Sequence, residues 1–162
     1  MTGDRVKIKA TGCGESMTPY LTFDVELGAA IEIGMTPLGQ RRMVPLLGGT
    51  VSGAFSGRVL PGGSDWQIQR PDGTLEINAR YVVETPEAER IEVQSIGMRV
   101  CDNDTRVKLE EGEAVPPEAY YFRTAVRLFT SAPRLLHLND RLFSCQGQRF
   151  SRAVRLFINP VP

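Results

Sequence analysis

This sequence is poor in the residues that usually announce a catalytic centre. It has one histidine and three cysteines (Cys13, Cys101 and Cys145), with no C-x-x-C pair among them. An odd, unclustered set of thiols supports neither a disulfide framework nor a zinc site. No stretch approaches the ~20 apolar residues that a membrane helix needs. The N-terminus, MTGDRVKIKATGCGES, lacks the apolar centre of a signal peptide, so a cytoplasmic location is expected. Charge of one sign is missing too: 19 Lys and Arg balance 19 Asp and Glu in 162 residues. No net field draws such a chain to nucleic acid or to a membrane surface, and neither is expected as a partner. There is no G-x-S-x-G and no H-E-x-x-H, and the run GGTVSGAFSG lacks the Gly-Lys-Ser/Thr ending of a phosphate loop. No metal and no cofactor is expected. The glycines of that run suit close strand approach instead.

What the sequence has is a two-residue period. Phe23, Val25 and Leu27 alternate with Asp24 and Glu26, the mark of a half-buried strand. Further strands are predicted at Arg42–Leu47, Thr50–Leu60, Asp65–Arg70, Thr74–Glu84 and Arg90–Arg99, with turns at Gly48-Gly49, Pro61-Gly62-Gly63, Pro71-Asp72-Gly73 and Thr85-Pro86-Glu87. Residues 101–118, charged and ending in Pro116-Pro117, read as a long exposed loop. Strand character returns at Ala119–Phe129. A helical turn over 133–139 follows, for which Ser131 is a suitable cap, and strands Arg141–Gly147 and Ala153–Asn159 close the chain.

Residues 1–18 read as a loose leader and 19–162 as one domain. Short turns between closely spaced strands favour antiparallel pairing, so the fold expected is all-β: a single antiparallel β-barrel of about eight strands with one short helix. A sandwich is the alternative. Tyr121, Ala125 and Phe129 oppose Phe122, Val126 and Leu128 on one strand, which makes that strand apolar on both faces and suggests a covering partner, such as a second copy in a homodimer.

Candidate site residues gather around Arg58–Tyr81. Asp65 and Trp66 follow the Pro-Gly-Gly break, and Arg80 and Tyr81 stand one strand on. Placed at a barrel mouth, an Asp65–Arg80 pair would hold the carboxylate ionised, as a base or as a strand-pinning ion pair. Trp66, Tyr81, Tyr121 and Phe122 suit either an apolar ligand or plain core filling. Tyr121 and Arg123 share a strand face and form a candidate oxyanion site; Arg41 and Arg42 could serve the same purpose, though a position facing solvent or a partner subunit is expected for them. His137, with Asn139 beside it, becomes a proton-transfer candidate if the 133–139 turn lids the barrel.

The run LG…G-x-T-P-L-G-x-R-R…P…GG, followed by LPGGSDW, NARY, YYFRT and SAPRLLHLN, resembles the domain-of-unknown-function family 3237. The most specific pieces are PGG-x-DW at Pro61–Trp66 and YFRT at Tyr121–Thr124, and the resemblance extends over about Phe23 to Ile158. It implies an antiparallel barrel of the allene-oxide-cyclase-like type, lipocalin-like in outline, related to ligand binders and to cofactor-free cyclases of hydrophobic substrates. The chain departs from the family at His137, where the family usually has tryptophan.

Two functional classes follow. One is a cofactor-independent cyclase or isomerase of a small hydrophobic, aromatic or polyketide-like molecule. In that reading Asp65 or His137 moves a proton, Tyr121 and Arg123 stabilise negative charge, and Trp66, Arg80, Tyr81, Phe122 and Asn139 contact the ligand. The other is a non-catalytic binding protein using the same groups. A filled, purely structural barrel is the third possibility.

Overall fold

The computed structural model describes residues 18–162, and Cys13 and nearly all of the expected leader lie outside them. Ten strands form one antiparallel sheet: β1 (Leu21–Leu27), β2 (Ile31–Thr36), β3 (Gly39–Gly53), β4 (Gly57–Val59), β5 (Gly63–Gln69), β6 (Leu75–Glu84), β7 (Arg90–Val100), β8 (Tyr121–Thr130), β9 (Phe143–Arg149) and β10 (Ala153–Pro160). Because β3 also pairs with β1, the sheet closes on itself as an eight-stave barrel. Two staves are interrupted. β1 and β2 run in turn along one side of β3, and β4 and β5 fill the gap between β3 and β6.

The expected turn at Gly48-Gly49 is instead the middle of β3. Leu27 pairs with Leu46 while Glu26 pairs with Gly48, so the strand bulges there and Leu47 is pushed outside. At Gly49, with φ +145°, a Cβ would collide with the Asp24 carbonyl oxygen, so the sheet closes through a position that only glycine fits. The Pro61-Gly62 break is likewise not at a barrel end. Val59 faces Val83 and Ser64 faces Arg80, so the break inserts extra residues into mid-wall.

Residues 101–118, expected as a loop, contain helix α1 (Asn103–Glu110). Asp102 caps it by accepting the Thr105 amide at 2.7 Å, and Leu109 is buried. The segment Pro133–Asp140 is a 3-10 helix whose N-cap is Ala132 rather than Ser131, with no side-chain cap. The hydroxyl of Thr130 accepts the Ala132 amide instead, at 3.1 Å.

The interior is divided along the barrel axis. The end reached through the β8–β9 connection is filled by Leu21, Phe23, Ile91, Leu128, Phe143 and Ile158, each at most 2 % exposed, and Leu135 and Leu138 of the 3-10 segment plug it. The end covered by α1 is not filled.

Candidate functional site

Inward-facing positions follow from strand parity. On β5 they are Asp65 and Gln67; on β3, Arg42, Val44 and Leu46; on β7, Ser95 and Arg99; on β9, Cys145 and Arg149. At the α1 end these residues, Cys145 excepted, surround a cavity of about 480 Å³. Its lining is mixed: Val25, Leu27, Leu75, Ile77, Phe122 and Leu156 are apolar, and Arg42, Asp65, Gln67, Ser95, Arg99, Thr124 and Arg149 bring polar or charged groups to it.

Asp65 is the deep carboxylate. One oxygen accepts from the Gln67 side-chain amide at 2.7 Å, and the other accepts from the backbone N–H of Asn78 at 3.1 Å. The Gln67 carbonyl accepts in turn from Arg42 Nε at 2.7 Å, which fixes the amide so that its NH₂ points at Asp65. Burial raises the Asp65 pKa, and the Gln67 and Asn78 hydrogen bonds and the charges of Arg42 and Arg99 only partly offset it. The carboxylate still borders the cavity, so a molecule inside can reach it.

Two buried polar atoms around this cavity have no partner among the described residues: the Tyr81 hydroxyl and Arg99 Nε. Tyr81 stacks edge-on against Phe23 with ring centres 6.3 Å apart. A Cβ at Gly63 would overlap the Tyr81 side chain, so the second glycine of the Pro-Gly-Gly break makes the room in which Tyr81 sits. Burial, then the proximity of Cys145 and Asp65, pushes the phenol pKa well above its usual value and keeps it a hydrogen-bond donor. Burial also pushes the Cys145 thiol up to about 12, which leaves it protonated and unsuited to attack. Arg149 is lowered to about 10, first by burial and then by the charges of Arg99 and Arg42.

Of the residues singled out in the sequence, Asp65, Tyr81 and Phe122 line this cavity. The others do not. Arg80 pairs across the sheet with Ser64, points outward and forms an ion pair with Glu92 at 2.9 Å, so the expected Asp65–Arg80 pair does not form. Trp66 lies on the outer wall, 43 % exposed, beneath the Arg41 guanidinium. Tyr121 and Arg123 also share the outer face, stacked on each other at 5.3 Å. His137 is exposed at the opposite, plugged end, with Nε2 3.4 Å from the Tyr20 hydroxyl. Asn139 is a tether: its side chain accepts the Thr130 amide at 3.0 Å and donates to the Thr130 and Leu136 carbonyls. Arg42, expected outside, is inside.

Gln67, Arg99 and Arg149 were not among the expected site residues. Arg99 and Arg149 fall on the inward parity of largely apolar strand registers, and a charge in such a register is the available signal; Gln67 shares its inward register with Asp65 and carries no such signal.

Comparison with known proteins agrees with this architecture. A UPF0311 protein of Clostridium acetobutylicum is 38 % identical over 155 residues, 94 % of this chain and 96 % of its own length. The crystal structure of a conserved protein of unknown function from Rhodopseudomonas palustris superposes with a TM-score of 0.84 at 34 % identity, covering 90 % of this chain and 95 % of that one. More distantly, an enzyme from Penicillium herquei shares the fold with a TM-score of 0.59 at 21 % identity, over 90 % of this chain and 98 % of its own. The model of the family described as "Protein of unknown function (DUF3237)" matches residues 15–159, and the chain belongs to that family.

Proposed function

We propose that the barrel is a cofactor-independent cyclase or isomerase that admits a small, largely apolar carbonyl compound to its cavity. The observation that carries this reading is Asp65: a carboxylate of raised pKa, oriented by Gln67 and bordering the cavity. Asp65 removes a proton from carbon next to the carbonyl. The C–H electron pair moves into the carbonyl, whose oxygen takes up negative charge. The neutral Tyr81 hydroxyl, still without a partner, donates to that oxygen, and the charges of Arg42 and Arg99 stabilise it. The protonated Asp65 then returns its proton to a different carbon, which completes an isomerisation. Alternatively, the enolate closes a ring onto an electrophilic carbon of the same molecule and the proton goes to the oxygen released there. These roles stand on the inner wall, in place of those first given to His137, Tyr121 and Arg123. The fold shared with an enzyme from Penicillium herquei is compatible with this reading.

The test is exchange of the α-protons of β-tetralone in D₂O, followed by NMR. Wild-type protein is expected to accelerate exchange, and Asp65→Asn to lose at least about a hundredfold of that acceleration. Equal rates for the two proteins would leave the non-catalytic binder as the better reading, since it uses the same walls and arginines without the base.

A further inference from the structure

The polar end of the cavity is unbalanced in charge. Arg42, Arg99 and Arg149 all line it, and none forms an ion pair among the described residues. The side-chain hydrogen bonds of Arg42 and Arg149 go to neutral acceptors, the Gln67 amide and the Ala153 carbonyl. Arg99 is 6 % exposed and its Nε has no acceptor among the described residues. Against these three guanidinium groups stands one deep carboxylate, Asp65. The two other acids on the lining do not redress the difference. Glu32 is exposed and takes a hydrogen bond from Gln40, and Glu110 is already paired with Arg106 at 3.0 Å on the helix surface.

Gathering uncompensated cations in a low-dielectric space is unfavourable, and a bound anion relieves it. The rest of the lining includes many apolar side chains, among them Val44, Leu46, Ile77 and Leu156. The complementary molecule is therefore amphipathic, with an anionic head at the arginines and a hydrocarbon or aromatic body against those side chains.

We infer that the ligand of this barrel is a carboxylic acid, its carboxylate held by Arg99 and Arg149 at the α1 end of the cavity. The planar fork of a guanidinium matches a carboxylate in a two-point contact, and Arg99 has a buried donor still unused. A carboxylate also leaves Asp65 and Tyr81 free for the carbonyl further along the same molecule. The inference rests on the cavity being the ligand site proposed above, and it adds the substrate class, a keto acid or other acid with an apolar body.

Isothermal titration of the intact protein with decanoate, decanol and decyl phosphate, three probes of equal chain length, tests it. Decanoate is expected to bind at least tenfold more tightly than decanol. Arg99→Met and Arg149→Met should each erase most of that difference while leaving decanol affinity unchanged. Asp65→Asn, which removes a like charge, should tighten decanoate. Equal affinity for decanoate and decanol in the wild type overturns the inference without any variant needing to fold. Tighter binding of decyl phosphate than of decanoate overturns it in favour of a phosphate ligand. Failure here and failure of the proton-transfer reading are separable. Loss of the decanoate preference with Asp65-dependent exchange intact removes only the carboxylate, and the reverse result removes only the base.

Discussion

The two ends of this barrel are built by the same alternation and serve opposite purposes. At the plugged end, inward positions carry Phe23, Ile91, Leu128, Phe143 and Ile158, packed against Leu135 and Leu138. At the α1 end, β3, β5, β7 and β9 bring in Arg42, Asp65, Gln67, Arg99 and Arg149 around open space. Close packing with no polar atoms to satisfy stabilises the first end. The second accepts desolvated charge and a void, both of which cost stability, in return for a binding site. Stability and chemistry are thus separated along a single axis.

Substitutions that cross this division measure how complete it is. Phe143→Ala at the plugged end should cost about 3–5 kcal/mol in urea denaturation, the usual loss for a fully packed aromatic. Phe122→Ala, whose ring already borders the cavity, should cost at least about 1 kcal/mol less. Equal losses would mean that the α1 end is packed as tightly as the other.

Asp65→Asn should alter the pH dependence of stability. Folding raises the pKa of Asp65, so the native state holds its proton more tightly than the unfolded chain does. The stability this group contributes is therefore fully present below the ordinary aspartate value of 3.8 and is lost as pH climbs through the raised native value. Wild-type stability should fall relative to the asparagine variant across that window and stay level above it. A flat difference would place Asp65 in a wetter setting than the cavity wall.

Arg99→Met should stabilise the ligand-free protein by roughly 1 kcal/mol, since it replaces a buried, unpaired cation with an apolar side chain of similar length. At the bottom of the scale, Tyr121→Phe and His137→Gln should shift stability by less than about 0.5 kcal/mol and leave β-tetralone exchange unchanged, because both side chains are exposed and remote from the cavity.

Much of this was legible in the chain. The two-residue period and the turn residues carried the all-β barrel, and Asp65, Tyr81 and Phe122, singled out in the chain, line one cavity. The misplacements share one physical cause. Asp65 and Trp66 are adjacent in sequence, as are Arg80 and Tyr81, but adjacent residues on a strand face opposite sides of the sheet. Grouping them by proximity mixed the outer wall with the inner. The Pro-Gly-Gly break added to this, since it resembles a strand end while the strand partners on both sides continue past it. Helix α1 was hidden for another reason: eight mostly polar residues carry no apolar stripe, and its one anchor is Leu109. The arginine cluster could be found only by carrying strand parity through every stave, since Arg42, Arg99 and Arg149 lie far apart in sequence.

The long strand β3 has a consequence for how the molecule moves. Its first half is bonded to β2 and β5 and carries Arg42, while its second half is bonded to β1 and β4 in the plugged core. Among the described residues β2 pairs with β3 alone. One continuous strand therefore belongs to two cooperative units, a firm one and a lightly held one. Amide exchange along β3 therefore reads the cavity end and the packed end of the barrel from one strand.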